Sequence, residues 1–236
     1  KGRLITALEK DGAHIFYELG RHNLEVSSLP TSRECVVPNV RTVLEEIYRV
    51  ACPLGALPYF GPILAGREDL LVIPDERDAQ WLELDGREVL APLARTSSVQ
   101  FTFSVSPQDA IRMLNKLGAR VGVFLDDFPQ DAVWKKYIAD SAARYRTSRY
   151  GGPLVFESLT DYCSALTQNK VVRGAKLVPY HDAGNIDIPL YVRSVWWHFR
   201  LKRYGNALCV EVRPMARRSD ERIEAQLKMV HGIVES

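Results

Sequence analysis

The chain has 236 residues, of which 46% are hydrophobic and 25% are charged, and its formal net charge at pH 7 is +2. These values are typical of a globular protein with a substantial core, arranged as one large domain or two small ones. The near-neutral charge argues against nucleic acid or a membrane surface as a partner. No apolar run approaches the ~20 residues that span a bilayer.

The cysteines are scattered along the chain without CxxC spacing, at Cys35, Cys52, Cys163 and Cys209. The sequence therefore predicts neither a zinc site nor a disulfide framework, and we expect reduced thiols in a cytoplasmic protein. Because the chain starts at Lys1 rather than at a methionine, we also expect it to lack an N-terminal portion.

The first predicted element is a pair of short strands in residues 14–28, interrupted at Gly20. This segment carries Glu18 and Glu25, which lie seven residues apart and would face opposite sides of one regular strand. A bulge or tight turn at Gly20 would reset the alternation and bring both carboxylates to one side. The alternative is that each glutamate is an ordinary surface or salt-bridged residue.

The next segments alternate between helix and loop signals. Apolar residues at helical spacing predict a helix over 39–52, and the glycine- and proline-rich residues 53–66 predict a loop or a broken strand. Residues 81–90 contain Asp85-Gly86, which favours a β-hairpin with a type I′ turn.

A clean alternation over residues 97–105 predicts a strand, with Gln100, Thr102 and Ser104 on its polar face. Ser106 and Pro107 are predicted to start the helix that follows. Residues 126–165 look largely helical around a basic, glycine-ended segment.

A second hairpin is predicted from residues 195–201 and 207–212. If Tyr204-Gly205 is its turn, His198 pairs with Glu211 and Arg200 pairs with Cys209, whereas a turn one residue later changes these pairs. Glu211 and Arg213 share a face, and a carboxylate among apolar neighbours needs a metal or a cation to offset its desolvation. Ser219 is predicted to cap a last helix.

Strands and helices are mixed without regular β–α–β alternation, which favours an α+β domain built on an antiparallel sheet, and residues 1–236 read as a single domain. Glutamates and arginines on the strand faces are the chemistry of magnesium and phosphate. The chain has no Walker A loop and no GxGxxG. The alternative is that these polar faces are simply solvated.

Four segments together resemble the carboxylate–amine ligase branch of the glutamate–cysteine ligase family, whose catalytic domain is similar to that of glutamine synthetase. They are "YELGRHNLEVSS", "TSSVQFTFSVSPQDAIRMLNKL", "SAARYRTSRYGG" and "SVWWHFRLKRYGNALCVEVRP", in the order of the family. The resemblance implies a curved, mainly antiparallel sheet with helices on its outer face. It also implies an ATP- and Mg²⁺-dependent ligase of glutathione biosynthesis that forms an amide through an acyl phosphate. The expected substrates are the γ-carboxylate of glutamate and an amine such as cysteine.

The resemblance also implies roles for individual residues. Metal-binding roles fall on Glu18, Glu25 and Glu211. The residue that stabilises the transferring phosphoryl group would be Arg213, and Arg146 would contact substrate or phosphate. Contacts to the nucleotide are expected from Gln100, Thr102 and Arg200.

Two departures from the family keep other interpretations open. Relatives begin with a strand carrying Glu-x-Glu, and none precedes Glu18; many also have histidines where this chain has Gln100 and Thr102. One alternative is a catalytically incomplete relative that binds a nucleotide, an amino acid or a protein partner. Another is an unrelated α+β domain. The sequence leaves open which amine is used and whether the chain forms a homo-oligomer.

Overall fold

The fold is mixed α+β, as the sequence predicts, and its strands form small sheets that are mostly antiparallel. The structure is a computed structural model that describes residues 14–73, 76–142 and 149–236. Within these ranges, none of the helices has the length and apolar character needed to cross a membrane.

The helices and strands alternate irregularly along the chain. The helices are α1 Arg33–Ala51, α2 Glu76–Asp85, α3 Arg87–Leu90, α4 Ala110–Ala119, α5 Val121–Leu125, α6 Gln130–Asp140, α7 Leu159–Thr167, α8 Ile188–Arg193 and α9 Asp220–Glu235. Short 3₁₀ turns cover Cys52–Leu54, Ala91–Arg95 and Tyr180–Asp182. The strands are β1 His14–Tyr17, β2 Leu24–Ser27, β3 Ser98–Ser104, β4 Tyr150–Gly151, β5 Val171–Arg173, β6 Lys176–Val178, β7 Trp196–Trp197, β8 Phe199–Tyr204 and β9 Ala207–Ala216.

The largest sheet is three-stranded and antiparallel, in the order β3-β9-β8. Strand β9 contains a bulge, because Val99 pairs with Met215 while Phe101 pairs with Val212. The extra residue falls at Arg213-Pro214, and a proline suits such a position because it has no N–H to contribute to the ladder.

The two faces of this sheet differ in character. Val210 and Val212 of β9 are fully buried on the apolar face, where α4 and α5 pack on the sheet and α9 packs on α4 and α1. Residues 209, 211 and 213 point to the opposite face, which is polar. Helices therefore cover the sheet on one side and leave its polar groups on the other.

A second cluster packs α2, α6 and β7 around aromatic rings. Trp81 and Trp196 have ring centroids 4.9 Å apart, and Trp134 stacks on Tyr150 at 5.6 Å with an interplanar angle of 6°. The buried Arg149 lies over Trp81 at 5.2 Å and donates to the carbonyl of Ser194 at 2.7 Å.

Four local predictions were wrong or displaced. The helix expected to start at Ser106 and Pro107 begins at Ala110, with Asp109 as its N-cap, because residues 107–109 form a turn. Residues 81–90 form helices, not a hairpin: Gly86 (φ 81°) ends α2 by donating to the Leu82 carbonyl at 2.9 Å, a helix stop that uses the same positive φ as a hairpin turn. The helix predicted over 39–52 starts at Arg33 and continues through Pro38. The turn after β8 is Gly205-Asn206, one residue later than predicted.

Candidate functional site

The β1–β2 hairpin brings Glu18 and Glu25 to the same side. Phe16 pairs directly with Glu25, and Glu18, which follows the last residue of β1, is in hydrogen-bonding contact with Glu25. The turn is held by backbone hydrogen bonds from Arg21 to Leu70 and from Val72 to Leu19, at 2.9 and 2.7 Å. Gly20 is necessary here because a Cβ at this position would overlap the Ala94 carbonyl oxygen.

The pKa of Glu18 is strongly perturbed in this hairpin. Burial, then the charge of Glu25 and a hydrogen bond with it, raise the pKa of Glu18 to about 7, and the charge of Asp78 adds to the effect. The Leu19 N–H donates to Glu18 Oε2 at 3.3 Å and opposes the shift only in part. Such a pair is relieved by a shared proton or by a bound cation.

The polar face of the β3-β9-β8 sheet centres on Glu211, whose side chain is 3% exposed. Arg200 lies directly opposite Glu211 in β8 and donates from Nε to Oε2 at 2.5 Å. Arg213 donates from Nη1 to the same oxygen at 2.9 Å, and Lys202 donates to Oε1 at 3.2 Å. Three cations thus surround one carboxylate, and this group of four side chains carries an excess of two positive charges.

The ionisation of Glu211 follows from these neighbours. Burial alone would raise its pKa, but the charges of Arg213, Arg200 and Lys202 outweigh burial and hold the pKa well below the usual range. Glu211 is therefore a permanent anion at any physiological pH.

The three cations are not equally available. Arg200 is 7% exposed, and its Nη1 donates to the Val192 and Val195 carbonyls at 2.7 and 3.2 Å, which fixes it to the framework. Arg213 and Lys202 have side chains that are 19% and 42% exposed. A ligand on this face would therefore meet Arg213 and Lys202 first.

Strand β3 borders this cluster. Thr102 pairs with Glu211, so that Thr102, Glu211 and Arg200 form one row across the sheet. Gln100 and Thr102 are both exposed. Their amide and hydroxyl groups are positioned at the edge of the cation cluster, where they are free to contact a ligand.

The polar face continues past Arg213 to His198. The Arg213 N–H donates to the His198 carbonyl at 3.0 Å. The His198 ring is 5.0 Å from that of Tyr150, and its Nε2 is 4.0 Å from Asp131. Burial, helped by the charges of Lys135 and Arg213, lowers the pKa of His198 to about 4, although Asp131 opposes this. His198 is therefore neutral at pH 7.

The residues predicted from the sequence lie in two places. Glu18 and Glu25 form one pair, but Glu211 does not join them, and the described residues contain no group of three or more His, Cys, Asp or Glu side chains suited to a metal. The predicted trio of metal ligands is thus not assembled, because Glu211 is held by cations. Arg146 lies outside the described residues.

Sequence reasoning also missed Lys202 and the correct partner of Glu211. The turn predicted at Tyr204-Gly205 placed His198 opposite Glu211, and the observed register places Arg200 there. A shift of two residues keeps the same strand face but changes every pair. Lys202 lies two residues after Arg200, so strand alternation places both side chains on the same face. This alternation is the sequence signal that could have identified Lys202.

Comparison with known proteins does not assign a family. No protein-family model matches the chain, and no curated protein gives a significant match. A functional proposal therefore depends on the chemistry of the residues on the two strand faces described above.

Proposed function

We propose that the chain is an ATP- and Mg²⁺-dependent carboxylate–amine ligase that forms an amide through an acyl phosphate. The observation that carries the proposal is the polar sheet face on which Arg213 and Lys202 flank the buried Glu211. Enzymes catalyse phosphoryl transfer mainly by positioning the groups and neutralising their charge, and an excess of two positive charges on a rigid sheet suits that task.

The Glu18–Glu25 pair fits a magnesium ion, and Glu211 does not. Magnesium is commonly held by one or two carboxylates together with waters and substrate phosphates, and the raised pKa of Glu18 reflects its burial and a like-charge contact with Glu25 that a cation would relieve. Glu211 already accepts from three cations. Bound magnesium would neutralise phosphate oxygens of the nucleotide.

In the proposed reaction, Arg213 orients the transferring phosphoryl group toward the substrate carboxylate. Gln100 and Thr102 provide hydrogen bonds to the nucleotide or substrate from β3, while the buried Arg200 supports the cluster from behind. The amine then attacks the acyl carbon, phosphate leaves and an amide remains. Glutamate and cysteine are the substrates that the family resemblance favours, and Arg146 stays a predicted substrate contact.

The proposal includes a glutamine-synthetase-like sheet whose polar face forms the site. Its support is the separation of polar residues from the face covered by α4 and α5. The proposed location is cytoplasmic, in keeping with four free cysteines, three of which are exposed.

A catalytically incomplete relative is the second candidate. The observation that favours it is the two-carboxylate acidic site, to which the described residues add no third ligand. Such a protein would bind a nucleotide or amino acid, or a protein partner, without turnover.

The test is to incubate the protein with ATP, Mg²⁺, glutamate and a panel of amines including cysteine, and to measure ADP release and product mass. Amine-dependent ADP release with an amide product supports the ligase, and nucleotide binding without turnover supports the second candidate. The Glu25→Gln variant should abolish turnover while unfolding at the same urea concentration or higher. Glu45→Gln, at an exposed glutamate of α1, is the matched control and should retain full activity.

A further inference from the structure

We infer that Glu211 is not a metal ligand but the counter-charge that gathers an oxyanion site, and that Lys202 is a binding residue of this site for a phosphate-type anion. The inference deepens the proposed ligase function and rests on it for the identity of the ligand. Anion binding is measurable without turnover, so the two ideas fail separately.

Both oxygens of the Glu211 carboxylate already accept hydrogen bonds from cations. Oε2 accepts from Arg200 and Arg213, and Oε1 accepts from Lys202. The side chain is 3% exposed. A metal ion would have to displace at least one of these donors to reach a lone pair.

The charge around Glu211 is positive, because three cations surround one carboxylate. A dication near Glu211 would be attracted by one negative charge and repelled by three positive charges at comparable distances. An anion experiences the reverse. The same four side chains therefore disfavour magnesium and favour a phosphate-type oxyanion.

An anion can approach the cluster from the side of Arg213 and Lys202, which are its more exposed cations. Arg200 is tied to the Val192 and Val195 carbonyls. Arg213 uses Nη1 for Glu211, and its guanidinium has no further hydrogen-bond partner within the described part of the chain. Lys202 donates to Glu211 at 3.2 Å, which is the one side-chain hydrogen bond that it makes within the described residues, and its side chain is 42% exposed. Lys202 and Arg213 thus have donors to spare, and the exposed Thr102 hydroxyl lies in the same row as Glu211.

The Lys202 claim is tested by titrating the protein with inorganic phosphate, with ATP and with glutamate, each in EDTA, by isothermal calorimetry. We expect phosphate and ATP to bind without a divalent ion, and Lys202→Met to weaken both at least about tenfold, as loss of a charge-assisted hydrogen bond predicts. Lys228→Met, at an exposed lysine of α9 paired with Glu224, is the control and should leave both affinities unchanged. Phosphate binding that requires Mg²⁺, equal affinity in both variants, or a tenfold loss for glutamate alone would each overturn the inference.

The Glu211 claim is tested with Mn²⁺, whose binding is followed by electron paramagnetic resonance. Glu25→Gln should weaken Mn²⁺ binding at least about tenfold, and Glu211→Gln should leave it unchanged. Because Glu211→Gln removes a buried charge and is at risk of misfolding, Lys202→Met provides a second measurement. If Glu211 ligated the metal, freeing Oε1 from Lys202 would strengthen Mn²⁺ binding, whereas we expect no change.

The two ideas are separated by their combined outcomes. Phosphate binding that depends on Lys202, in a protein without ligase turnover, leaves the anion site standing and removes the ligase. Ligase turnover by a protein whose phosphate affinity does not depend on Lys202 leaves the ligase standing and removes the anion site.

Discussion

Replacing Glu18 with glutamine removes one of the two carboxylates that face each other in the β1–β2 hairpin. Burial and the charge of Glu25 raise the pKa of Glu18 from 4.5 to about 7. A group with a raised native pKa binds its proton more tightly in the folded state. Its contribution to stability is therefore complete below the unfolded value and is lost as the pH rises through the native value. At ~1.4 kcal/mol per pKa unit, the loss between pH 4.5 and pH 8 is on the order of 3 kcal/mol.

Urea unfolding followed by tryptophan fluorescence measures this loss. We expect the unfolding free energy of Glu18→Gln to match that of the wild type near pH 4.5 and to exceed it by on the order of 3 kcal/mol at pH 8, because glutamine carries no charge to bury and none to repel Glu25. Taking the difference between variant and wild type cancels the titration of groups that do not interact with Glu18. Glu45→Gln, at an exposed glutamate of α1, is the matched control for the change from glutamate to glutamine. A difference in unfolding free energy between Glu18→Gln and the wild type that does not grow with pH would refute the like-charge contact.

Magnesium extends the same test. A cation held by both carboxylates should stabilise the wild type at pH 8, by RT ln(1 + [Mg²⁺]/Kd), and should have a weaker effect on Glu18→Gln. Equal stabilisation of both proteins would place the ion elsewhere.

Two further predictions concern steric fit and acid sensitivity. Gly118→Ala in α4 should cost about 1–3 kcal/mol in urea unfolding, because the added Cβ would overlap the Leu154 carbonyl. In Gly122→Ala of α5, the added Cβ would meet no heavy atom of the described residues within 4 Å, apart from its chain neighbours and the backbone of its own helix. This variant should therefore be as stable as the wild type or up to about 1 kcal/mol more stable. His198→Gln should reduce acid sensitivity: the pKa of His198 is lowered from 6.5 to about 4 by burial, so the wild type loses on the order of 3 kcal/mol as the pH falls through that window. Parallel urea midpoints of variant and wild type from pH 7 to pH 4 would contradict the buried neutral imidazole.

Local patterns predicted the elements whose faces are unambiguous. The alternation in β3 is visible residue by residue, and Gln100 and Thr102 are exposed while Phe101 is buried. A break at Gly20 predicts that Glu18 and Glu25 converge, and the β1–β2 hairpin does bring them together. These features depend on neighbours within a few residues, which a sequence displays directly.

The predictions that were wrong depend on contacts between residues far apart in the sequence. Asp85-Gly86 provides a positive φ that serves a hairpin turn or a helix stop, and packing of the buried Trp81 on Trp196 decides for the helix. The partner of Glu211 depends on whether the turn is Tyr204-Gly205 or Gly205-Asn206, and both dipeptides contain the required glycine. Non-local contacts settle these choices, and periodicity does not record them.

The acidic pair and the basic cluster are connected through one strand. The hairpin turn packs on the Ala94 carbonyl through Gly20, and Asn23 donates to the Thr96 carbonyl at 2.9 Å. Two residues later β3 begins, and its Thr102 lies opposite Glu211.

A metal–phosphate ligand carries both charges that these sites complement. If one ligand contacts both, binding of Mn²⁺ and of phosphate must be reciprocally coupled, each raising the affinity for the other by the same factor. Independent binding would mean that the acidic pair and the cation cluster serve separate ligands, which an incomplete relative tolerates and a ligase does not. Absence of this coupling would therefore count against the ligase before any amine substrate is known.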